Sequence, residues 1–253
     1  MRFVDLSAPI ASSPPETIDL VRVEIDLQDH EAGAELIESF LGVGPELLRD
    51  GEGWANDEIR KLGTHSTTHV DAPRHYNSTI RGKPAQAIDE LPLEWFFSRG
   101  VVVDFSAKAD GEAIEAEEIE TELARVGHEL RELDIVCVRT DRDLDYAEAD
   151  YMARGPAVTA AATLWLFERG VRVMGIDAWG WDGPLHFQAE RAKRENRPGV
   201  FWAAHQADLP YSQIERLCNL RELPPTGFQV ACFPLRIVGA SAAPARVVGL
   251  VDD

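Results

Sequence analysis

Short apolar runs rich in Val and Ile recur along the chain and alternate with helical patterns, and this alternation constrains the fold more than any other feature. Turn residues bound the runs, whose lengths are those of single β-strands. The segments between them carry apolar residues at three- and four-residue spacing. Strands that alternate with helices predict an α/β fold. We predict strands over 101–105, 134–139, 171–176, 228–233 and 245–251, and helices over 115–133 and 159–169.

The segment 27–49 also has helical spacing, which Gly42 and Gly44 are expected to interrupt before Pro45. Two interpretations of this segment stay open: an excursion that covers the site or contacts a second subunit, and a surface hairpin of helices. No repeat, low-complexity tract or flexible linker divides the sequence. We therefore predict a single domain over residues 1–253.

The acidic composition excludes several classes of partner. Asp and Glu number 44 against 25 Lys and Arg, which gives a formal net charge of -19. Such a charge repels phosphate, so neither nucleic acid nor an anionic membrane is an expected partner. The apolar stretches fall short of the ~20 residues that span a bilayer, and the first residues lack a secretory signal pattern. We predict a cytoplasmic protein with three reduced cysteines.

Three of the 7 histidines fall within positions 65–75, together with an aspartate. His65, His69 and Asp71 are separated by even numbers, so their side chains would share one face of an extended chain. In a helix, Asp71 would rotate well away from both histidines. Pro73 and the β-branched residues of the run favour strand and turn. An extended conformation therefore places the side chains of the cluster on one face of the chain.

Two imidazoles and a carboxylate form a mixed nitrogen and oxygen site that is typical of zinc, manganese or non-haem iron, with coordination positions left open for catalysis. The alternative is that these are ordinary histidines satisfied by hydrogen bonds. A buried polar cluster is costly without a cation, which favours the metal. Pro73 would hold His75 near the ligands, where it could act as a general acid or base.

The same run resembles the signature of the cyclase and metal-dependent hydrolase family, which includes kynurenine formamidases, isatin hydrolases and trans-dienelactone hydrolases. That signature is His-x-Gly-Thr-His-x-Asp-x-Pro-x-His, and residues 65–75 depart from it only at Thr67, where glycine is usual. The resemblance extends over most of the chain, from Val4 through the segment 214–220. It implies a mixed sheet in a swivelling β/β/α domain with a β-barrel-like core, found in homodimers or homotetramers.

By this resemblance His65, His69 and Asp71 are metal ligands, Glu215 is a further ligand, and His205 is a ligand of a second metal or a catalytic neighbour. The implied cofactor is one or two divalent ions, with zinc favoured and manganese as the alternative.

The predicted reaction is hydrolysis of an amide or lactone in a small cyclic or aromatic molecule, by attack of metal-bound hydroxide on the carbonyl while His75 relays a proton. Trp54, Trp179 and Trp181 are candidate walls of the substrate pocket. Two rival functions stay open: a polyketide-type cyclase or enolising enzyme that shares the polarised carbonyl, and a non-catalytic metal-binding protein.

Overall fold

The computed structural model describes residues 1–252, and the chain clusters into two compact units. One unit comprises residues 1–8 and the chain from residue 67 onward; the other comprises residues 9–66. The predicted single domain over 1–253 stays a prediction.

The strands are β1 (Arg2–Asp5), β2 (Val23–Asp26), β3 (Glu58–Leu62), β4 (His69–Asp71), β5 (Thr79–Ile80), β6 (Lys83–Pro84), β7 (Phe97–Asp104), β8 (Ala113–Ile114), β9 (Ile135–Arg139), β10 (Ala157–Val158), β11 (Val173–Ile176), β12 (Ser212–Glu215), β13 (Phe228–Ala231), β14 (Ala242–Pro244) and β15 (Val248–Val251). The helices are α1 (His30–Leu41), α2 (Pro73–Tyr76), α3 (Ala116–Arg125), α4 (Ala160–Glu168) and α5 (Leu185–Glu195).

One mixed sheet organises the larger unit. Within residues 1–252, nine strands form it in the order β1-β15-β13-β7-β9-β11-β12-β4-β14. The neighbouring strands β7, β9, β11 and β12 are parallel, and the pairings on either side of this block are antiparallel. The sheet curls into a half-barrel. The predicted α/β class with a barrel-like sheet is therefore confirmed.

Alternate residues of the central strand β9 enter different apolar clusters. Val136 and Val138 pack in the cluster that includes α3 and α4, whereas Ile135 and Cys137 pack in the second cluster. This period of two is that of side chains on a strand. Burial on both faces explains why the parallel strands read as nearly continuous apolar runs rather than alternating ones.

The smaller unit contains the antiparallel pair of β2 and β3 and the helix α1. The Asp29 side chain accepts the Ala32 N–H at 3.0 Å, which caps the start of α1. Gly42 ends the helix with a φ of 68°, a conformation that glycine adopts without strain. The predicted interruption of the helical segment at Gly42 is confirmed.

The predicted strands are confirmed as β7, β9, β11, β13 and β15, with ends shifted by a few residues. The predicted helix over 159–169 is α4, and the Thr159 side chain caps it by accepting the Ala162 N–H at 3.2 Å. The predicted helix over 115–133 is too long. It ends at Arg125 because Gly127 follows in the left-handed region with a φ of 67°.

The extended run predicted through the histidine cluster is shorter than expected. Only His69–Asp71 forms a strand, and residues 64–68 form a turn and bend. The partner strand β12 ends at Glu215 because Arg216 adopts a φ of 60°. The pairing of β4 with β12 therefore stops at His69. In the described part of the chain, no helix is long and apolar enough to cross a bilayer.

Candidate metal centre and active site

Two neighbouring antiparallel strands bring three candidate ligands together. His69 on β4 lies directly opposite Glu215 on β12 in the strand register. Asp71, two residues further along β4, is on the same face as His69. All three side chains are buried, and their ligand atoms lie within 4.8 Å of one another. Strand pairing therefore joins residues distant in sequence into one compact set of nitrogen and oxygen donors.

A hydrogen bond outside this set orients the ring of His69. Its Nδ1 lies 2.6 Å from the carbonyl oxygen of Thr67, and because a carbonyl oxygen can only accept, Nδ1 carries the proton. The Nε2 atom faces Asp71 Oδ1 at 3.3 Å and Glu215 Oε2 at 3.7 Å. A neutral imidazole with its Nε2 lone pair directed this way is the form in which histidine binds a metal.

His205 approaches the same two carboxylates from a turn that precedes β12. Its backbone N–H and its Nδ1 both donate to the carboxylate of Asp182. Its Nε2 lies 3.8 Å from Asp71 Oδ2 and 3.6 Å from Glu215 Oε1. Each of these two carboxylates therefore presents one oxygen to His69 and the other to His205. The segment 177–187, which contains Asp182, borders the site.

The electrostatics of the cluster favour added positive charge. Burial, and then the charge of Asp71, raises the pKa of Glu215, although its Oε1 accepts the backbone N–H of Trp181 at 2.9 Å. Burial alone would lower the pKa of His205, but the nearby carboxylates, Asp182 first, raise it by more. Two buried carboxylates facing two imidazoles form an arrangement that a divalent cation stabilises.

The donor set therefore fits a divalent metal ion. His69, Asp71 and Glu215 would hold it, and His205 would complete one coordination sphere or hold a second ion. Nitrogen and carboxylate oxygen donors without thiolates are typical of catalytic zinc and manganese sites. The predicted divalent cofactor agrees with this geometry.

His75 lies on the one-turn helix α2, two residues after Pro73 occupies its first position. One of its ring nitrogens and a carboxylate oxygen of Asp71 lie within 4.8 Å of each other. Its ring centroid is 5.8 Å from that of His205, and its side chain is half-buried. A half-buried imidazole beside the cluster can exchange protons with a bound molecule, which is the role predicted for His75.

Sequence reasoning missed Trp202, which lines the cluster. Its indole stacks on the His205 ring, with centroids 4.4 Å apart and planes at 14°, and presents an edge contact to His75 at 4.8 Å. Trp202 holds a φ of 62°, a strained conformation for a bulky residue that marks a fixed position. Its place three residues before His205 was the available signal, but no motif distinguishes it from the other tryptophans.

The three tryptophans predicted as pocket walls have different surroundings. Trp181 is fully buried in the apolar core, and its Nε1 donates to Thr163 Oγ1 at 2.9 Å. We therefore correct its assignment from pocket wall to core. Trp179 is half-buried and stays a candidate wall. Trp54 lies in the unit of residues 9–66, where its side chain is 47% exposed, and its role stays a prediction.

His65 also belongs to the unit of residues 9–66, where it lies in a turn and is half-buried. Its role as a metal ligand stays a prediction from the sequence.

Comparisons with known proteins place the chain in a family. The family model described as Putative cyclase matches residues 4–183. A kynurenine formamidase from Salinibacter ruber is 31% identical over 190 residues, which cover 74% of this chain and 76% of the relative. Isatin hydrolase A from Labrenzia aggregata, solved bound to benzyl benzoate, has a TM-score of 0.75 and 26% identity, and the alignment covers 100% of this chain and 94% of that chain. Isatin hydrolase A from Ralstonia solanacearum has a TM-score of 0.74 and 25% identity, with 99% and 92% covered.

The family model covers more than half of the chain, so this protein belongs to the cyclase family that the model describes. The predicted family and the predicted reaction class, a metal-dependent hydrolase, are confirmed.

Proposed function

We propose that this protein uses a divalent metal ion to hydrolyse an amide or lactone bond in a small cyclic or aromatic substrate. One observation carries the proposal: the Nε2 atoms of His69 and His205 both face the paired carboxylates of Asp71 and Glu215 in a buried cluster. The names of the relatives, a kynurenine formamidase and isatin hydrolases, support an amide as the bond that is cleaved.

The bound metal would acidify a water and polarise the substrate carbonyl, the two requirements of amide hydrolysis. The chain's own residues fix the geometry. The carbonyl of Thr67 and the carboxylate of Asp182 hold the two imidazoles in the tautomer that leaves Nε2 free of a proton. His75 transfers a proton to the leaving nitrogen or oxygen.

Trp202 stacks on the ring of His205 and contacts the ring of His75 edge-on. An aromatic surface at this position stacks on a planar substrate and excludes water from the reacting bond. This contact supports an aromatic or cyclic substrate over an extended aliphatic one.

We propose zinc as the metal, with manganese as the alternative, because the donors are imidazole and carboxylate. Asp71 and Glu215 each direct separate oxygens toward two histidines, an arrangement that would suit two ions as well as one. The predicted homodimer or homotetramer and the cytoplasmic location stay proposals, and light scattering of the purified protein checks the first.

A pH-stat assay tests the reaction. Protein loaded with zinc or with manganese is given isatin, an N-formylated aromatic amine and an aromatic lactone, and the release of protons and carboxylate is followed. We expect stoichiometric release of both with at least one substrate, and no turnover by the His69→Ala variant. Conversion of a substrate without a new carboxylate would support the cyclase or enolising alternative. No conversion of any kind by metal-loaded protein would contradict the proposal.

A further inference from the structure

Arg216 directly follows the candidate ligand Glu215 and is fixed in a conformation that few arginines adopt. Its φ is 60°, its backbone N–H donates to the carbonyl of Ala178 at 3.1 Å, and its own carbonyl accepts the Thr68 hydroxyl at 2.5 Å. These contacts tie the residue to Ala178 and to Thr68, which directly precedes the candidate ligand His69. Only 4% of its surface is exposed.

This buried cation forms no ion pair within the described residues. In residues 1–252 no carboxylate forms an ion pair with Arg216, and its one side-chain hydrogen bond is a long contact from Nε to the carbonyl of Trp179 at 3.5 Å. Half-buried arginines of the same unit, in contrast, form ion pairs with aspartates: Arg139, Arg142, Arg154 and Arg221. Burial of an unpaired guanidinium is costly, so a function must maintain it.

The guanidinium carbon lies over the face of an aromatic ring. Its Cζ is 3.6 Å from the centroid of the Trp179 ring, a cation–π contact that holds the charged group beside the indole. Tyr151 contacts Trp179 with ring centroids 6.1 Å apart, and Tyr146 contacts Tyr151 at 5.2 Å. The cation therefore lies at one end of a row of three aromatic rings.

This arrangement borders the candidate metal centre. Gly180 separates Trp179 from Trp181, and a Cβ atom built on Gly180 would lie 3.4 Å from Glu215 Oε1. Arg216 directly follows Glu215 in the chain, and its Nε lies 3.5 Å from the carbonyl oxygen of Trp179. The guanidinium is thus close enough to the cluster for one small molecule to reach both.

We propose that Arg216 binds a carboxylate of the substrate, so that the enzyme acts on planar acids carrying a carboxylate in addition to the bond that is cleaved. The inference about which substrate is hydrolysed rests on the proposed function, whereas the inference that Arg216 binds a carboxylate does not. The planar guanidinium can donate two parallel hydrogen bonds to a carboxylate, and the stacked Trp179 holds it ready to do so. A lysine ammonium could supply the charge but not the paired geometry.

Isothermal titration with benzoate and with its neutral counterpart benzamide tests the binding. The metal-loaded wild type is compared with Arg216→Gln, Arg216→Lys and the control Arg142→Gln, whose parent side chain pairs with Asp145. We expect the Kd for benzoate to rise about 10- to 100-fold in Arg216→Gln, and less in Arg216→Lys. The Kd for benzamide should stay within about twofold in every variant, and the control should bind like the wild type.

An equal Kd for benzoate in the wild type and Arg216→Gln would overturn the proposal, since the carboxylate would then bind elsewhere, for example on the metal. Failure of the wild type to bind benzoate would overturn it as well. If circular dichroism shows that Arg216→Gln does not fold, the Kd for benzoate is compared between the wild type and Arg216→Lys instead, and an equal Kd would again overturn the proposal. Metal content is measured in each variant, so that a lost metal is not mistaken for a lost anion site.

A matched pair of amides separates this inference from the proposed function. N-formylanthranilate carries a carboxylate that formanilide lacks. We expect kcat/KM to favour the first in the wild type, and this preference to fall about tenfold or more in Arg216→Gln. Equal hydrolysis of both amides by both proteins would leave the proposed function intact and overturn the inference. No hydrolysis of either, with benzoate binding still dependent on Arg216, would overturn the proposed function and support the anion site.

Discussion

His69 and Glu215 are directly paired across two antiparallel strands, and their side chains bring Nε2 and Oε2 within 3.7 Å. The pairing makes the candidate metal centre a property of the sheet rather than of a loop. Rigid strands hold ligands more accurately than loops do. The site should therefore form with the fold, and metal binding should stabilise the folded chain.

Replacing Asp182 by asparagine should weaken metal binding without removing a ligand. Asp182 accepts the backbone N–H groups of Ala204 at 2.6 Å and His205 at 3.1 Å, as well as the His205 Nδ1. An amide in its place loses the charge that fixes the imidazole tautomer. We expect the metal Kd to rise by about 10- to 100-fold, measured by competition with a chromogenic chelator. Asp150→Asn, an exposed aspartate, is the control and should leave the affinity unchanged.

Replacing His75 by alanine should separate catalysis from metal binding. His75 lies beside the cluster on α2 and is assigned to proton transfer. We expect kcat to fall by about 10²- to 10⁴-fold, while the metal content measured on the same sample stays at the wild-type value. His186→Ala, at an exposed position on α5, should change neither quantity. Unchanged kcat in His75→Ala would show that another group moves the proton.

Replacing Trp181 by phenylalanine should affect stability and not substrate binding. The indole is fully buried and donates to Thr163 Oγ1 at 2.9 Å, so the variant loses a buried hydrogen bond and some volume. We expect the free energy of unfolding from urea titration to fall by about 1–3 kcal/mol. KM should stay within about twofold of the wild type. A larger change in KM would show that Trp181 lines the substrate pocket.

Asp177 should make stability depend on pH. Burial raises the pKa of Asp177 to about 7, against hydrogen bonds from Thr140 and the Asp141 N–H, and the charge of Asp143 adds to the rise. Between the ordinary aspartate pKa near 3.8 and about 7, the folded chain binds a proton that the unfolded chain has lost. This group therefore makes the free energy of unfolding fall as pH rises through that window, by up to about 1.4 kcal/mol per pH unit.

Urea titrations at pH 5, 6 and 7 measure this slope in the wild type and in Asp177→Asn. The variant also changes absolute stability, because its amide group faces the Asp141 N–H, so the slopes are compared rather than the values. We expect the variant to lose the Asp177 contribution to the downward slope and Asp150→Asn to retain it. Equal slopes in the wild type and Asp177→Asn would mean that Asp177 stays ionised throughout.

The sequence predicted those parts of the site that are local in the chain. The even spacing of His69 and Asp71 is a strand property, and the structure places both on one face of β4. Glu215 was reached only through family resemblance, because no local sequence pattern around it indicates a metal ligand. It is a buried strand residue, since the register of β12 against β4 sets its position. No local pattern encodes that register.

Trp202 and Arg216 could not be predicted for a similar reason. Each acquires its role from a backbone in the left-handed region, with φ values of 62° and 60°, and from contacts with residues distant in sequence. Secondary-structure propensities describe average conformations, so they do not predict which non-glycine residues adopt the left-handed region. Trp181 shows the opposite error, because it was predicted as a pocket wall although its indole fills the core.

Metal content by inductively coupled plasma mass spectrometry, on protein purified without chelator or added metal, tests the central claim most directly. The wild type is compared with His69→Ala and with the control His186→Ala. The account predicts about one or two equivalents of divalent metal in the wild type and the control, and close to none in His69→Ala. A folded wild type that contains no metal and takes up neither zinc nor manganese, or a His69→Ala variant with full metal content, would contradict it.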